Sequence, residues 1–127
     1  MVGRGKSLFI MPILLYLQVE KPTLVAPEFA QTIKSTEVNE GDRAKFVTKV
    51  TGQPEPTVTW FHDDKPIISN DIYKIMPGEE GENTLLLPEA FPEDSGKYTV
   101  QAENEAGRAL CSAVLIVITG MLNIWKD

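Results

Sequence analysis

From Glu28 onward the chain reads as short strands separated by turns. Ala44, Phe46, Thr48 and Val50 alternate with Lys45, Val47 and Lys49. A period of two sends successive side chains to opposite faces, so this run predicts a half-buried strand. Gly52-Gln53-Pro54-Glu55-Pro56 breaks it, because proline has no N–H to give to a ladder. Val58 and Trp60 alternate with Thr57 and Thr59 in the next strand, His62 to Pro66 reads as a turn, and Ile67-Ile68 as a short edge segment. Ile72 to Ile75 predicts another strand, followed by a loop over Pro77 to Gly81 and a strand carried by Leu85 and Leu87 that Pro88 stops. Lys97 to Glu103 alternates again with Tyr98, Val100 and Ala102 on one side. Asn104-Glu105-Ala106-Gly107 is a hairpin turn, and Arg108 to Ile118 the last strand. No useful stretch repeats at the helical period. The pattern is all-β, a sandwich of two antiparallel sheets.

Composition narrows the chemistry. A length of 127 residues, 43% hydrophobic, holds one domain with tails and argues against disorder. The net charge is −6, unevenly spread: residues 28–118 carry 8 basic and 16 acidic groups, whereas residues 1–27 carry Arg4, Lys6 and Lys21 against Glu20. An acidic domain has no basic face for phosphates, so nucleic acid is excluded as a partner. One Cys closes no internal disulfide, and one Cys with one His assembles no zinc site. The acidic pairs Asp63-Asp64 and Glu79-Glu80 fall in turns, where like charges are solvated and no calcium-loop spacing is present. His62 has no Ser or Cys nucleophile beside it in sequence, and there is no Gly-rich phosphate loop. No enzyme, cofactor or metal is expected.

The organisation predicted is an extension over residues 1–26, poorly ordered, a domain over 27–118 and a tail over 119–127. Leu8 to Leu17 is an apolar run behind Arg4 and Lys6, in the style of a secretory signal. It is too short to span a bilayer, Pro12 interrupts it, and no A-x-A-like cleavage site follows.

Three motifs stand in order: Gly52-x-Pro54-x-Pro56-x-Val58-x-Trp60, Asp94-x-Gly96-x-Tyr98, and Ala102-x-Asn104-x-x-Gly107. Together they resemble the immunoglobulin fold of the I-set type, most like the repeated domains of titin, with obscurin, myosin-binding protein C, palladin and myotilin next. The resemblance implies a Greek-key sandwich with Trp60 at its centre, Leu85 and Leu87 in the core, and Tyr98 as a tyrosine corner over the turn shaped by Asp94 and Gly96. It also puts Thr48 and Val100 where the family's intersheet cysteines stand. A bridge closing that loop is worth about 4 kcal/mol on the chain-entropy model. Its absence fits a reducing compartment, hence an intracellular link. The function implied is a non-enzymatic structural module of a cytoplasmic, sarcomeric or cytoskeletal filament. Such a module bears force by shear between Thr36-Glu37-Val38 and the stretch from Ala113 to Ile118. Its partners are other proteins, including neighbouring immunoglobulin domains or sarcomeric proteins. The alternatives are a secreted recognition domain behind Leu8–Leu17, without a membrane span, and a domain flanking a catalytic unit, as in the myosin light-chain kinases.

The last strand is apolar on both faces. Ala109, Cys111, Ala113, Leu115 and Val117 share one side, and Leu110, Val114, Ile116 and Ile118 the other. If the first set is core, Cys111 is a small buried hydrophobe, with a redox-sensitive thiol as the sharper reading. The second set is then either covered by a terminal segment or an exposed strip that docks a partner.

Overall fold

The computed structural model describes residues 23–120, so the readings made for most of the N-terminal extension and for Met121–Asp127 lie outside the described residues. Nine strands run through the described part: β1 (Val25–Gln31), β2 (Thr36–Asn39), β3 (Ala44–Gln53), β4 (Thr57–His62), β5 (Lys65–Pro66), β6 (Lys74–Pro77), β7 (Glu82–Leu87), β8 (Gly96–Asn104) and β9 (Gly107–Ile118). They form a four-stranded sheet in the order β1-β3-β7-β6 and a five-stranded sheet in the order β2-β9-β8-β4-β5. The pairings are antiparallel except one. Strand β2 runs parallel to β9, with Thr36 opposite Leu115 and Asn39 opposite Ile118.

Alternation along the strands fills the space between the sheets. Ala44, Phe46 and Val50 from β3, Leu85 and Leu87 from β7, Trp60 from β4, and Tyr98, Val100 and Ala102 from β8 are all buried. The Phe46 and Tyr98 rings meet across the sheets at 5.1 Å between centroids. The indole N–H of Trp60 donates to Asn83 Oδ1 at 2.7 Å, so the largest core side chain leaves no polar atom unpaired. Thr48 and Val100 are fully buried at the two positions where a bridge is missing. In place of a bond to sulfur, the Thr48 hydroxyl donates to the Gln31 carbonyl at 2.6 Å and ties β3 to the end of β1.

The corner before β8 is built as a unit. Tyr98 donates its hydroxyl to the Asp94 carbonyl at 2.6 Å, and Asp94 Oδ2 accepts the Phe91 N–H at 2.8 Å. Gly96 has φ +142, and a Cβ there would stand 2.7 Å from Asp63 Oδ2. The carboxylate is held in place by the Lys97 N–H, which donates to Asp63 Oδ1 at 2.9 Å. At the opposite end, the Asn104 side-chain amide donates to the carbonyls of Val25 and Pro54 at 2.8 and 2.9 Å. That residue therefore fastens the start of β1 and the proline loop to the β8–β9 hairpin.

Three local readings change. The edge segment is Lys65–Pro66 and not Ile67-Ile68, because Asp63 and Asp64 both take positive φ and complete a tight turn, so pairing resumes at Lys65. Ile67 turns inward and is buried, while Ile68 points out. The strand read at Ile72 to Ile75 begins instead at Lys74. Asn70 Oδ1 accepts the N–H groups of Ile72 and Tyr73 at 2.8 and 2.9 Å, and a donor engaged in that turn is lost to a ladder. Finally, the sequence reading has no strand at Val25–Gln31, where Pro27 and the lack of alternation hide β1.

Candidate protein-docking surface

The outward side chains of the five-stranded sheet form the surface on which a partner can act. On β9 these are Arg108, Leu110, Ser112, Val114, Ile116 and Ile118, all exposed. Inward-facing Ala113, Leu115 and Val117 are buried, which fixes the two faces of the strand. Leu110, Val114, Ile116 and Ile118 keep 55%, 43%, 48% and 37% of their surface open, and no described residue covers them. Three of them, Val114, Ile116 and Ile118, follow one another on this face, and apolar side chains left together in water mark a candidate interaction site.

Neighbouring strands supply a polar rim. Across β8, Val114 lies opposite Lys97, Ser112 opposite Thr99, and Leu110 opposite Gln101. Thr99 and Ser112 share a hydrogen bond of 2.8 Å between hydroxyls, which divides Leu110 from the other three apolar residues. Lys97 pairs with Asp64 at 3.4 Å, and Arg108 with Glu103 at 3.8 Å. On the other flank, Glu37 of β2 lies opposite Ile116, and Glu40 donates its backbone N–H to the Ile118 carbonyl. Apolar centre and charged rim together match the anatomy of a protein interface. Phe61 also points outward from β4, on the face opposite Trp60. It escaped the sequence reading, although the same period of two places it there.

The remaining candidates sit elsewhere. Cys111 faces inward, half-buried against the core and opposite Val100. Burial pushes its thiol pKa up, against a smaller opposing effect of the Ile33 backbone, so the protonated, weakly nucleophilic form is favoured. Trp60, Tyr98, Leu85, Leu87, Thr48, Val100 and Asp94 lie in the core, and Gly96 at the corner beside Tyr98. None of these is brought to the outer face.

His62 is the one histidine, and its surroundings are structural. Its ring stacks on Tyr98 at 4.4 Å and 2° between planes. Nδ1 lies 3.1 Å from the Tyr73 hydroxyl and Nε2 3.2 Å from the Ser95 carbonyl. A carbonyl only accepts, so Nε2–H donates to Ser95, while Nδ1 shares a hydrogen bond with the Tyr73 hydroxyl. Both ring nitrogens are thereby spent on holding β4, the Ile67–Tyr73 loop and the corner together. Among the described residues no three His, Cys, Asp or Glu side chains gather to hold a metal, and no helix is long and apolar enough to cross a membrane.

Comparison with known proteins agrees with this geometry. The immunoglobulin I-set domain family matches residues 27–117. Telokin of Meleagris gallopavo is 43% identical over 100 residues, covering 79% of this chain and 64% of telokin. Smooth muscle myosin light chain kinase of Gallus gallus is 42% identical over the same share of this chain, which is 5% of the kinase. The chain thus spans less than two thirds of the length of these relatives. Among solved structures, the titin domains Z1Z2 in complex with telethonin superpose with a TM-score of 0.74 at 37% identity, covering 78% of this chain and 50% of that one. Sequence, sheet order and corner geometry meet in one conclusion: the chain belongs to the immunoglobulin I-set family.

Proposed function

We propose that this chain serves as a non-enzymatic structural and protein-interaction module of a sarcomeric or cytoskeletal filament protein, located in the cytoplasm of muscle. The observation that carries the reading is the exposed strip Leu110, Val114, Ile116 and Ile118 on a frame whose relatives include muscle proteins and titin domains. Titin Z1Z2 has been solved bound to telethonin and titin M10 bound to an obscurin-like domain, so this frame is one on which protein partners are held. Force is supported by a second feature. Strand β2 runs parallel to the end of β9 over four residue pairs, so pulling the two ends of the domain apart loads those bonds in shear. No constellation in the described residues calls for catalysis, and both ring nitrogens of His62, the one histidine, lie within hydrogen-bond distance of Tyr73 and Ser95.

A fluorescent fusion of the full chain in cultured cardiomyocytes tests this. Striated localisation is expected, and a Val114→Thr/Ile116→Glu variant whose melting point falls by no more than a few degrees is expected to lose it. Secretion of the fusion, with Leu8–Leu17 removed, overturns the reading in favour of the extracellular one.

A further inference from the structure

The apolar strip of β9 carries opposite charges on its two flanks, and that asymmetry fits a second copy of the same face. We propose that two copies of this chain associate face to face through Val114, Ile116 and Ile118, about a two-fold axis parallel to β9, with Lys97 of each copy paired to Glu37 of the other. The proposal rests on that strip being the docking surface named above and names its partner.

Charge selects the arrangement. Glu37 of β2 stands opposite Ile116 and Lys97 of β8 opposite Val114, so one flank is acidic and the other basic. Both side chains are exposed and share the outer face with the strip. Glu37 has no ion-pair partner among the described residues. Lys97 reaches Asp64 at 3.4 Å, but with 50% and 81% of the two side chains open to water, that pair holds the lysine only weakly.

Two aligned sheet faces are stacked by a two-fold axis that runs either across the strands or along them. An axis across the middle of the strip sets β8 over β8 and β2 over β2, which brings Lys97 beside Lys97 and Glu37 beside Glu37. An axis along the strand sets β8 of one copy over β2 of the other. Lysine and carboxylate are then offset by two residues, about 7 Å along the strand, with the sheets about 10 Å apart, a separation that the two extended side chains bridge. Symmetry repeats the pair, so each dimer holds two.

The strip is also suited to being covered. Val114, Ile116 and Ile118 are β-branched, so they have little side-chain freedom to lose. Thr99 and Ser112 already bond each other at 2.8 Å, so covering them strands neither hydroxyl. Area sets the strength. The stretch from Leu110 to Ile118 runs about 26 Å, and β2, β9 and β8 together are about 14 Å wide, a footprint of about 360 Å². That is roughly half of one partner's share of a standard interface, which makes the dimer a weak one. It gains where copies are held side by side at high effective concentration, as in a filament.

Sedimentation equilibrium of the full chain at low salt, from the low to the high micromolar range, tests this. The average mass is expected to climb from monomer toward dimer. Glu37→Lys and Lys97→Glu, each checked by melting curve, are each expected to weaken association about tenfold, because one reversal turns both symmetric pairs repulsive. An equimolar mixture of the two variants is expected to associate as the parent does, since each lysine again faces a carboxylate. If Lys97→Glu, beside Asp64, does not fold, Lys97→Gln is expected to weaken association several-fold. A monomer throughout, whatever else covers the strip, overturns the proposal. So do single reversals that associate like the parent, which is the result for an axis across the strands, and a mixture no tighter than its components. Should the chain stay monomeric while the strip variant still loses striated localisation, docking stands with a different partner, so the two readings fail separately.

Discussion

The two faces of β9 carry almost the same residue types and meet opposite fates. Leu115 and Val117 are at 0% and 8% exposure, whereas Ile116 and Ile118, one position along, are at 48% and 37%. Side-chain chemistry does not make that difference. Tyr98 and Gly96 of β8 lie opposite Ala113 and Leu115, and Thr36 and Val38 of β2 opposite Leu115 and Val117, so the inner set is walled in from both sides. The outer set has Lys97 and Glu37 as neighbours. Hydrophobicity along a strand gives its periodicity, and only the cross-strand partners say which phase is core.

Paired truncations are the largest test of that contrast. Leu115→Ala should cost about 2–5 kcal/mol, since it removes a fully buried side chain and leaves a cavity. Ile116→Ala should stay below about 1 kcal/mol, because an exposed residue takes little burial with it. Chemical denaturation of the two variants reads both values, and equal losses would mean that the outer face is covered as firmly as the inner one.

Tyr98 sharpens the same contrast through its polar end. Tyr98→Phe should cost about 1–2 kcal/mol, the worth of a buried hydrogen bond to Asp94 plus the carbonyl left unpaired. The effect also depends on pH. Burial first, then Tyr73 and the carboxylates of Asp94 and Asp63, hold the Tyr98 pKa above its ordinary value of 10.0. The unfolded tyrosine ionises first, so the folded state binds more protons above pH 10. Stability contributed by the neutral phenol is full below that point and drains as pH rises, by up to about 1.4 kcal/mol per unit. Tyr73 is raised too, again by burial first. Urea titrations from pH 9 to 11.5 should show a shallower decline for Tyr98→Phe than for the parent.

A smaller effect belongs to the outer face. Thr99 is outward-facing yet only 7% exposed, and its hydroxyl bonds Ser112 at 2.8 Å. Ser112→Ala should cost about 0.5–1.5 kcal/mol, the net value of an ordinary hydrogen bond. The same measurement on Thr99→Val/Ser112→Ala should show most of that loss recovered, since no hydroxyl is then left without its partner.

The legible parts of the fold were those carried by alternation and by motif. The alternating stretches of β3, β4, β8 and β9 announce themselves, and Trp60, Tyr98 and Asp94, which the motifs single out, are buried. What stayed hidden was set by local hydrogen bonding or by distant neighbours. Asn70 diverts the start of β6 by capturing two backbone donors, and nothing in Ile72–Ile75 itself records that. The Asn83 partner of Trp60 lies 23 residues away, and β1 owes its strand to pairing with β3. The strip on β9 was visible as a pattern, but whether described residues covered it depended on packing that only the folded chain displays.

The smallest expected effect on stability is the most informative about use. Val114→Thr/Ile116→Glu changes two side chains that are 43% and 48% exposed, and each substitution at such a site is normally worth within about 0.5 kcal/mol. The carboxylate introduced at position 116 would stand opposite Glu37 on β2, and like charges directly across a sheet cost a further 0.2–1 kcal/mol, roughly. A melting point lowered by only a few degrees therefore marks a surface that the fold does not need. A loss of several kcal/mol would say the reverse, that the outer face of β9 is packed as a second core, and the contrast between its two faces would then belong to the described residues alone.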